Sequence, residues 1–219
     1  MNQTADLDWR DGKTPISRRF DDPYFSLENG LAETQHVFLH GNDLPARFRD
    51  GFQVAELGFG TGLNFLVAWQ AWRAANVQGV LHFTSFEAFP MDSNDMRKAL
   101  HAFPDLTDLA DQMVQALEDD NDLGDARLTV IHGDARRTLA DWDGAADAWF
   151  LDGFSPAKNP ELWQPDLLAN VARHTRLGGT AATYTAAGAV RRALQDAGFE
   201  VTRTTGYGRK RHMTQAVLA

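Results

Sequence analysis

The sequence predicts an α/β fold: a doubly wound, mostly parallel sheet that ends in an antiparallel hairpin. Three observations predict it. From residue 51 onward, short apolar strand-like runs alternate with segments whose apolar residues recur at helical spacing. A glycine-rich run, Gly58-Phe59-Gly60-Thr61-Gly62, stands where the first strand meets its helix. The final two strand-like runs, 199–205 and 213–218, leave no room for a crossover helix and must pair antiparallel.

Taken in order, residues 1–50 read as an irregular, aromatic extension packed on a core formed by residues 51–219. Within the extension, Asp21-Asp22-Pro23-Tyr24-Phe25-Ser26 reads as a turn. A helix over 30–39 follows, stopping at His40-Gly41-Asn42. A strand at 53–57 runs into the glycine loop. The helix after it, 63–75, carries Leu63, Leu66, Val67, Trp69 and Ala71 on its apolar face. A second strand, 80–86, ends at Glu87; Asp92 and Ser93 can cap the next helix, which stops before Pro104. A helix over 106–117 leads to a strand at 127–131, then Gly133-Asp134 and a short helix to Trp142. The buried-looking strand 146–151 closes at Asp152. Pro160 suits a first helical position, and that helix runs to about residue 176. Gly178-Gly179 then turns the chain into a strand at 180–184, and a helix over 187–197 precedes the hairpin.

The chain has 219 residues, 43% of them hydrophobic and 23% charged, which suits one large domain with a full core. It has no cysteine, so disulfides, thiolate metal sites and a cysteine nucleophile are excluded. The N-terminal stretch lacks the apolar segment of a secretion signal, and no apolar run reaches membrane-span length. Together these features fit a cytoplasmic protein without a membrane partner. The formal net charge of -9 argues against nucleic-acid binding by the surface as a whole. The charge is uneven, however: acid crowds the middle, and Arg203, Arg209, Lys210 and Arg211 leave room for a local basic face.

The chemistry gathers at predicted strand ends. Glu56-Leu57-Gly58-Phe59-Gly60-Thr61-Gly62 matches E/D-x-G-x-G-x-G position for position, the loop of S-adenosylmethionine-dependent methyltransferases. A dinucleotide fingerprint fails, because its third glycine would fall at Leu63. The plain alternative is a tight turn packing helix on strand. Glu87 can accept bonds from both ribose hydroxyls, or be a solvated loop acid. Asp134 can take an adenine amino group, cap the helix that follows it, or do both. The run Asp152-Gly153-Phe154-Ser155-Pro156-Ala157-Lys158-Asn159-Pro160 resembles the (D/N)-P-P-Y loop of amino-methyltransferases without matching it. There Asp152 would orient an acceptor amine and help take its proton, and Phe154 would exclude water. A rigid turn with a helix cap is the competing reading. His36 and His40 lie four apart without further metal-ligand spacing, so no metal is expected.

Together these segments resemble the methyltransferase domain of the MnmC-type enzymes of tRNA 5-methylaminomethyl-2-thiouridine biosynthesis. The matching stretches are Ser17 to Ser26, Asn29 to Glu33, Val37 to Asn42, Glu56 to Leu66, Trp149 to Trp163 and Gly206 to Arg211. The resemblance implies a class I, Rossmann-like methyltransferase that uses S-adenosylmethionine on the primary amine of 5-aminomethyl-2-thiouridine at the tRNA wobble uridine. It implies Asp152 as catalytic, with Glu56, Gly58, Phe59, Gly60, Thr61, Gly62, Asn64, Glu87 and Asp134 around the cofactor. Tyr24, Phe25, Phe154, Lys158, Arg209, Lys210 and Arg211 would face the substrate. Many members continue into an FAD-dependent oxidoreductase domain that prepares the amine. This chain stops at Ala219, which leaves a standalone enzyme with a separate supplier or an excised domain. A methyltransferase for a small-molecule or protein amine, and a non-catalytic RNA-binding module of the same fold, are the alternatives.

Overall fold

The structure, a computed structural model, describes residues 4–26, 29–119 and 122–219. A small antiparallel sheet opens the chain, from β1 (Leu7–Arg10), β2 (Thr14–Ser17) and β3 (Asp22–Pro23). The segment expected to be irregular therefore carries its own sheet, and part of the expected turn at 21–26 is its last strand.

The expected helix over 30–39 is split. The α-helix α1 covers Gly30–Thr34, a π-turn covers Gln35–Leu39, and a 3-10 turn covers His40–Asn42. The wider π-turn points three consecutive apolar residues, Val37, Phe38 and Leu39, into the core, which an α-helix would spread around its axis. Asn42 then ties this segment to the main sheet. Its buried amide donates to the Phe38 and Trp149 carbonyls, and its oxygen accepts from Thr180 Oγ1 at 2.6 Å.

The main sheet has seven strands: β4 (Gln53–Leu57), β5 (Leu81–Glu87), β6 (Ala126–His132), β7 (Ala146–Leu151), β8 (Thr175–Thr183), β9 (Phe199–Thr205) and β10 (His212–Leu218). Their spatial order is β6-β5-β4-β7-β8-β10-β9. The first five in sequence pair in parallel, and β10 runs antiparallel to both β8 and β9. The predicted hairpin is thus in place. Side-chain alternation along the strands divides the core into two layers. Val54, Phe83, Ala148 and Phe150 face α2 (Leu63–Ala74) and α4 (Thr107–Glu118), the latter packed on α3 (Ser93–Leu100). Ala55, Leu57, Phe86, Trp149 and Leu151 face α5 (Ala135–Thr138), α6 (Pro165–Arg173) and α7 (Gly188–Asp196).

One boundary differs from expectation for a physical reason. No single helix runs from Pro160 to 176, because Pro165 holds Gln164 in an extended conformation at ψ 144°. A 3-10 turn (Pro160–Trp163) precedes that break, and α6 begins at Pro165. Strand β8 then starts at Thr175, and Gly178 (φ +74°) lies in a bulge inside it. Across the bulge β8 advances from Thr175 to Thr180 while β7 advances only from Ala146 to Ala148. Buried Asp147 secures this end of the sheet by accepting from the Gln53 N–H and pairing with Arg49 and Arg176. Among the described residues, no helix is long and apolar enough to cross a membrane.

Gly41 marks how tightly the split helix packs on the sheet. A Cβ there would stand 2.7 Å from Ala182 Cβ and 3.0 Å from Met213 Cε. Gly41→Ala is therefore expected to lower the unfolding free energy by about 1–3 kcal/mol, as overpacking does, with far-ultraviolet circular dichroism unchanged. Equilibrium urea denaturation measures this.

Candidate active site

Chain order reverses on either side of β4, so a crevice opens beyond the carboxyl ends of β4 and β7. Register brings Leu57 level with Phe86 on one side and Leu151 on the other. Gly58, Glu87 and Asp152 consequently meet at one sheet edge. A cavity of about 800 Å³ lies there, within the range of small-molecule sites.

The glycine loop fits the crevice because it lacks side chains. Gly58 has φ +89°, and a Cβ on it would run into the carbonyl of Asp152. Gly62 (φ +81°) precedes α2, whose first residues Leu63 and Asn64 line the cavity and bring the N–H end of the helix to it. Glu87 is nearly buried and locks the loop in place. Its Oε2 accepts from the Gly60 N–H at 2.9 Å and its Oε1 from the Phe89 N–H at 2.7 Å.

Beneath the loop lies a buried polar chain. The Asn64 amide nitrogen donates to Glu56 Oε1 at 2.8 Å and to Asp152 Oδ2 at 2.6 Å. The Asn64 oxygen accepts from Thr34 Oγ1, and Glu56 Oε2 accepts from Ser85 Oγ at 2.6 Å. Burial pushes the Glu56 carboxyl well above the usual carboxylate range, against the Ser85 and Asn64 bonds, with the Asp152 and Glu87 charges adding to the rise. Burial likewise raises Asp152, to about 7. The Asn64 bond and the Lys210 charge pull it down, and the Glu33 charge pushes it up.

Aromatic rings wall the Asp152 side. Phe154 stacks on Phe20 with centroids 4.9 Å apart and meets Tyr24 edge-on at 5.0 Å. The Arg19 guanidinium lies 4.5 Å from the Phe89 ring centre. Tyr184, at the end of β8, donates its hydroxyl to the Gly153 carbonyl at 2.7 Å. The N-terminal segment clamps this loop: the Ser155 N–H donates to Asp22 Oδ2 at 2.9 Å. From the other side, Trp163 Nε1 donates to the Phe154 carbonyl.

Of the residues expected from sequence, Gly58, Phe59, Gly60, Thr61, Asn64, Glu87, Asp134, Asp152, Tyr24, Phe25, Phe154, Arg209 and Lys210 all line the cavity. Four do not. Glu56 is fully buried and reaches the site only through Asn64. Gly62 turns toward Met113, whose Cε a Cβ would meet at 2.7 Å. Lys158 is drawn to Asp21 and Asp22, so it fastens the loop to the N-terminal segment. Arg211 is exposed and is absent from the cavity lining. Asp134 does cap α5, donating nothing and accepting from the Arg136 N–H at 3.0 Å, and the Arg136 guanidinium grips both its oxygens. That grip holds its carboxyl below the usual range. The lining also includes Phe20, Glu33, Thr34, Phe89 and Tyr184, which sequence reasoning passed over. Tyr184 could have been found by the strand-end rule that found Glu87 and Asp152. Glu33, the last residue of a matching stretch, and Thr34 lie in the distant α1, and nothing in their spacing pointed to a role in the site.

Comparison with known proteins agrees with this geometry. The sequence profile of a family described as S-adenosyl-L-methionine-dependent methyltransferase matches residues 98–219. A protein of Stutzerimonas stutzeri named tRNA 5-methylaminomethyl-2-thiouridine biosynthesis bifunctional protein MnmC is 45% identical over 99% of this chain and 35% of its own length. Its namesake in Leptospira borgpetersenii is 43% identical over 94% of this chain and 34% of its own length. The chain thus spans about a third of the curated relatives it matches. A solved structure titled MNMC2 from Aquifex aeolicus superposes with a TM-score of 0.77 at 27% identity, covering 99% of this chain and 71% of that one. A Thermotoga maritima spermidine synthase, 10% identical with a TM-score of 0.55, shares the fold. The fold, the glycine loop at the crevice and the matched profile lead to one conclusion: this chain belongs to the S-adenosyl-L-methionine-dependent methyltransferase family.

Proposed function

We propose that the chain transfers a methyl group from S-adenosylmethionine to the primary amine of 5-aminomethyl-2-thiouridine at the tRNA wobble position. The product is 5-methylaminomethyl-2-thiouridine. The observation that carries this reading is Asp152, a carboxyl at the strand end, held by Asn64 and walled by Phe154, Tyr24 and Tyr184. The names of the relatives supply the acceptor. The reaction would take place in the cytoplasm, and a separate or fused FAD-dependent oxidoreductase would supply the amine.

The residues present fit the cofactor. The glycine loop would admit its amino-acid end to the N–H groups of α2, Glu87 would accept the ribose hydroxyls, and Asp134 the adenine amino group. S-adenosylmethionine supplies an electrophilic methyl on a sulfonium, so positioning and exclusion of water do most of the work. Asp152 in its ionised form would take one proton from the acceptor ammonium and orient the neutral amine, whose lone pair would attack the methyl carbon as the carbon–sulfur bond breaks; the product would leave as the secondary ammonium. The aromatic wall keeps water from competing for that carboxylate. Arg209, which lines the cavity, and the exposed Arg211 two residues on would offer charge to the RNA backbone.

Mass spectrometry of nucleosides tests the reading. tRNA carrying 5-aminomethyl-2-thiouridine, incubated with the protein and S-adenosylmethionine, should gain one methyl on that nucleoside; an unchanged nucleoside contradicts it. Asp152→Asn should lower kcat by about 100-fold or more while cofactor binding, followed by calorimetry, stays close to wild type. For the wild type, kcat/KM should fall as pH drops below about 7, where Asp152 becomes protonated, and the variant should lose that limb.

The same shift predicts a stability effect. A carboxyl raised by folding binds its proton more tightly in the native state. Its stabilising contribution is complete at acid pH and is lost as pH rises from the ordinary carboxylate value through about 7. Asp152→Asn should therefore raise Tm at pH 8, and the gain should shrink toward pH 4. Thermal scans across that interval check this.

A further inference from the structure

The loop between β9 and β10 carries a primary ammonium into the cavity. Lys210 Nζ lies 2.8 Å from Glu33 Oε1 and 4.0 Å from the centre of the Tyr184 ring. Glu33 is mostly shielded, its side chain 14% exposed, and both residues line the same cavity as Asp152. Tyr184 is in turn bonded to the carbonyl of Gly153, the residue after Asp152. The loop itself is anchored. Gly206 N–H donates to the Arg211 carbonyl, Lys210 N–H to the Tyr207 carbonyl, and Tyr207 packs against His36, which bonds the Thr205 carbonyl at 2.9 Å.

One carboxylate and one aromatic face are the two partners that hold an alkylammonium ion in a protein site. Lys210 is itself an alkylammonium, and it sits in the cavity proposed above to receive one. We infer that Glu33 is the specificity-determining carboxylate for a cationic acceptor, and that Lys210 is its stand-in partner until the acceptor arrives. This rests on the amine-acceptor reading and extends it: Asp152 takes the proton, and Glu33 selects the charge. The exchange costs little, because one ammonium replaces another at the same carboxylate and the displaced lysine, on an exposed loop, returns to water. Acceptors without a positive charge gain nothing from displacing it, so the pair also discriminates against neutral hydroxyl acceptors of similar shape.

The two residues should respond in opposite directions, which a shared structural role would not produce. Steady-state kinetics well above pH 7, where Asp152 stays ionised without the Glu33 or Lys210 charge, would compare the wild type with Glu33→Gln and Lys210→Met on an anticodon stem–loop RNA bearing 5-aminomethyl-2-thiouridine. Glu33→Gln should raise KM by about tenfold with kcat within about twofold, the pattern of lost binding that is equal in ground and transition states. Lys210→Met should lower KM several-fold, since the internal competitor is gone. If Lys210 instead contacts RNA phosphate, Lys210→Met raises KM and the inference fails. It also fails if Glu33→Gln leaves KM unchanged or if both variants move together. A wild type that methylates neither this RNA nor the full tRNA overturns the amine reading, and this inference with it. Wild-type activity with failing variants overturns this inference alone.

Discussion

The Asn64 side-chain amide, shared between two buried carboxyls, is the contact on which the rest of the site depends. A single NH2 group donates to Glu56 under the glycine loop and to Asp152 at the end of β7. Each carboxyl would be costly to bury alone, and each is raised toward its neutral form by that burial. Asn64 can serve both because it stands in the first turn of α2, directly after the loop whose glycines let the backbone pass under Asp152. Thr34 fixes the orientation of the amide by donating to its oxygen, so the N-terminal α1 is part of the same network. Loop, helix, sheet edge and N-terminal segment are therefore coupled through one polar chain.

This coupling explains why the N-terminal segment is placed where it is. Asp22 holds the Ser155 N–H, Asp21 and Asp22 hold Lys158, and Tyr24 and Phe20 pack on Phe154. A loop that must present a proton-accepting carboxylate in a water-poor site is thereby braced on both sides, by the first strands and by Trp163. The proton affinity of Asp152 follows from that enclosure. Burial lifts it to about 7, where it can exchange a proton with an amine near neutral pH. The enclosure that tunes the carboxyl also makes it a source of instability once ionised, a common trade at functional sites.

Much of the fold was legible because burial leaves a pattern. The strands Ala146–Leu151 and Phe199–Thr205 stand where sequence reasoning put them: one is buried throughout and apolar except at Asp147, the other starts with alternating apolar and polar residues. Strand ends then pointed to Glu87, Asp134 and Asp152. What escaped is set by tertiary contacts. The π-turn at Gln35–Leu39 exists to bury three consecutive residues against the sheet, and no local propensity announces it. Pro165, more than Pro160, decides where α6 begins. Lys158 and Lys210 are both loop lysines near the site, yet one is taken by Asp21 and Asp22 and the other by Glu33. Their partners lie well over a hundred residues away, and sequence spacing carries no trace of them. Glu56 reads as a loop acid beside a ligand, and only its full burial shows that it acts through Asn64.

The Asn64 amide holds Asp152 in place and moderates its proton affinity. Carbon-13 NMR titration of the Asp152 carboxyl in the wild type and in Asn64→Ala tests it most directly. An inflection near 7 is expected in the wild type and a higher one in the variant, because the hydrogen bond that favours the charged form is lost. A wild-type Asp152 that titrates in the ordinary carboxylate range, or an inflection unmoved by Asn64→Ala, would contradict it.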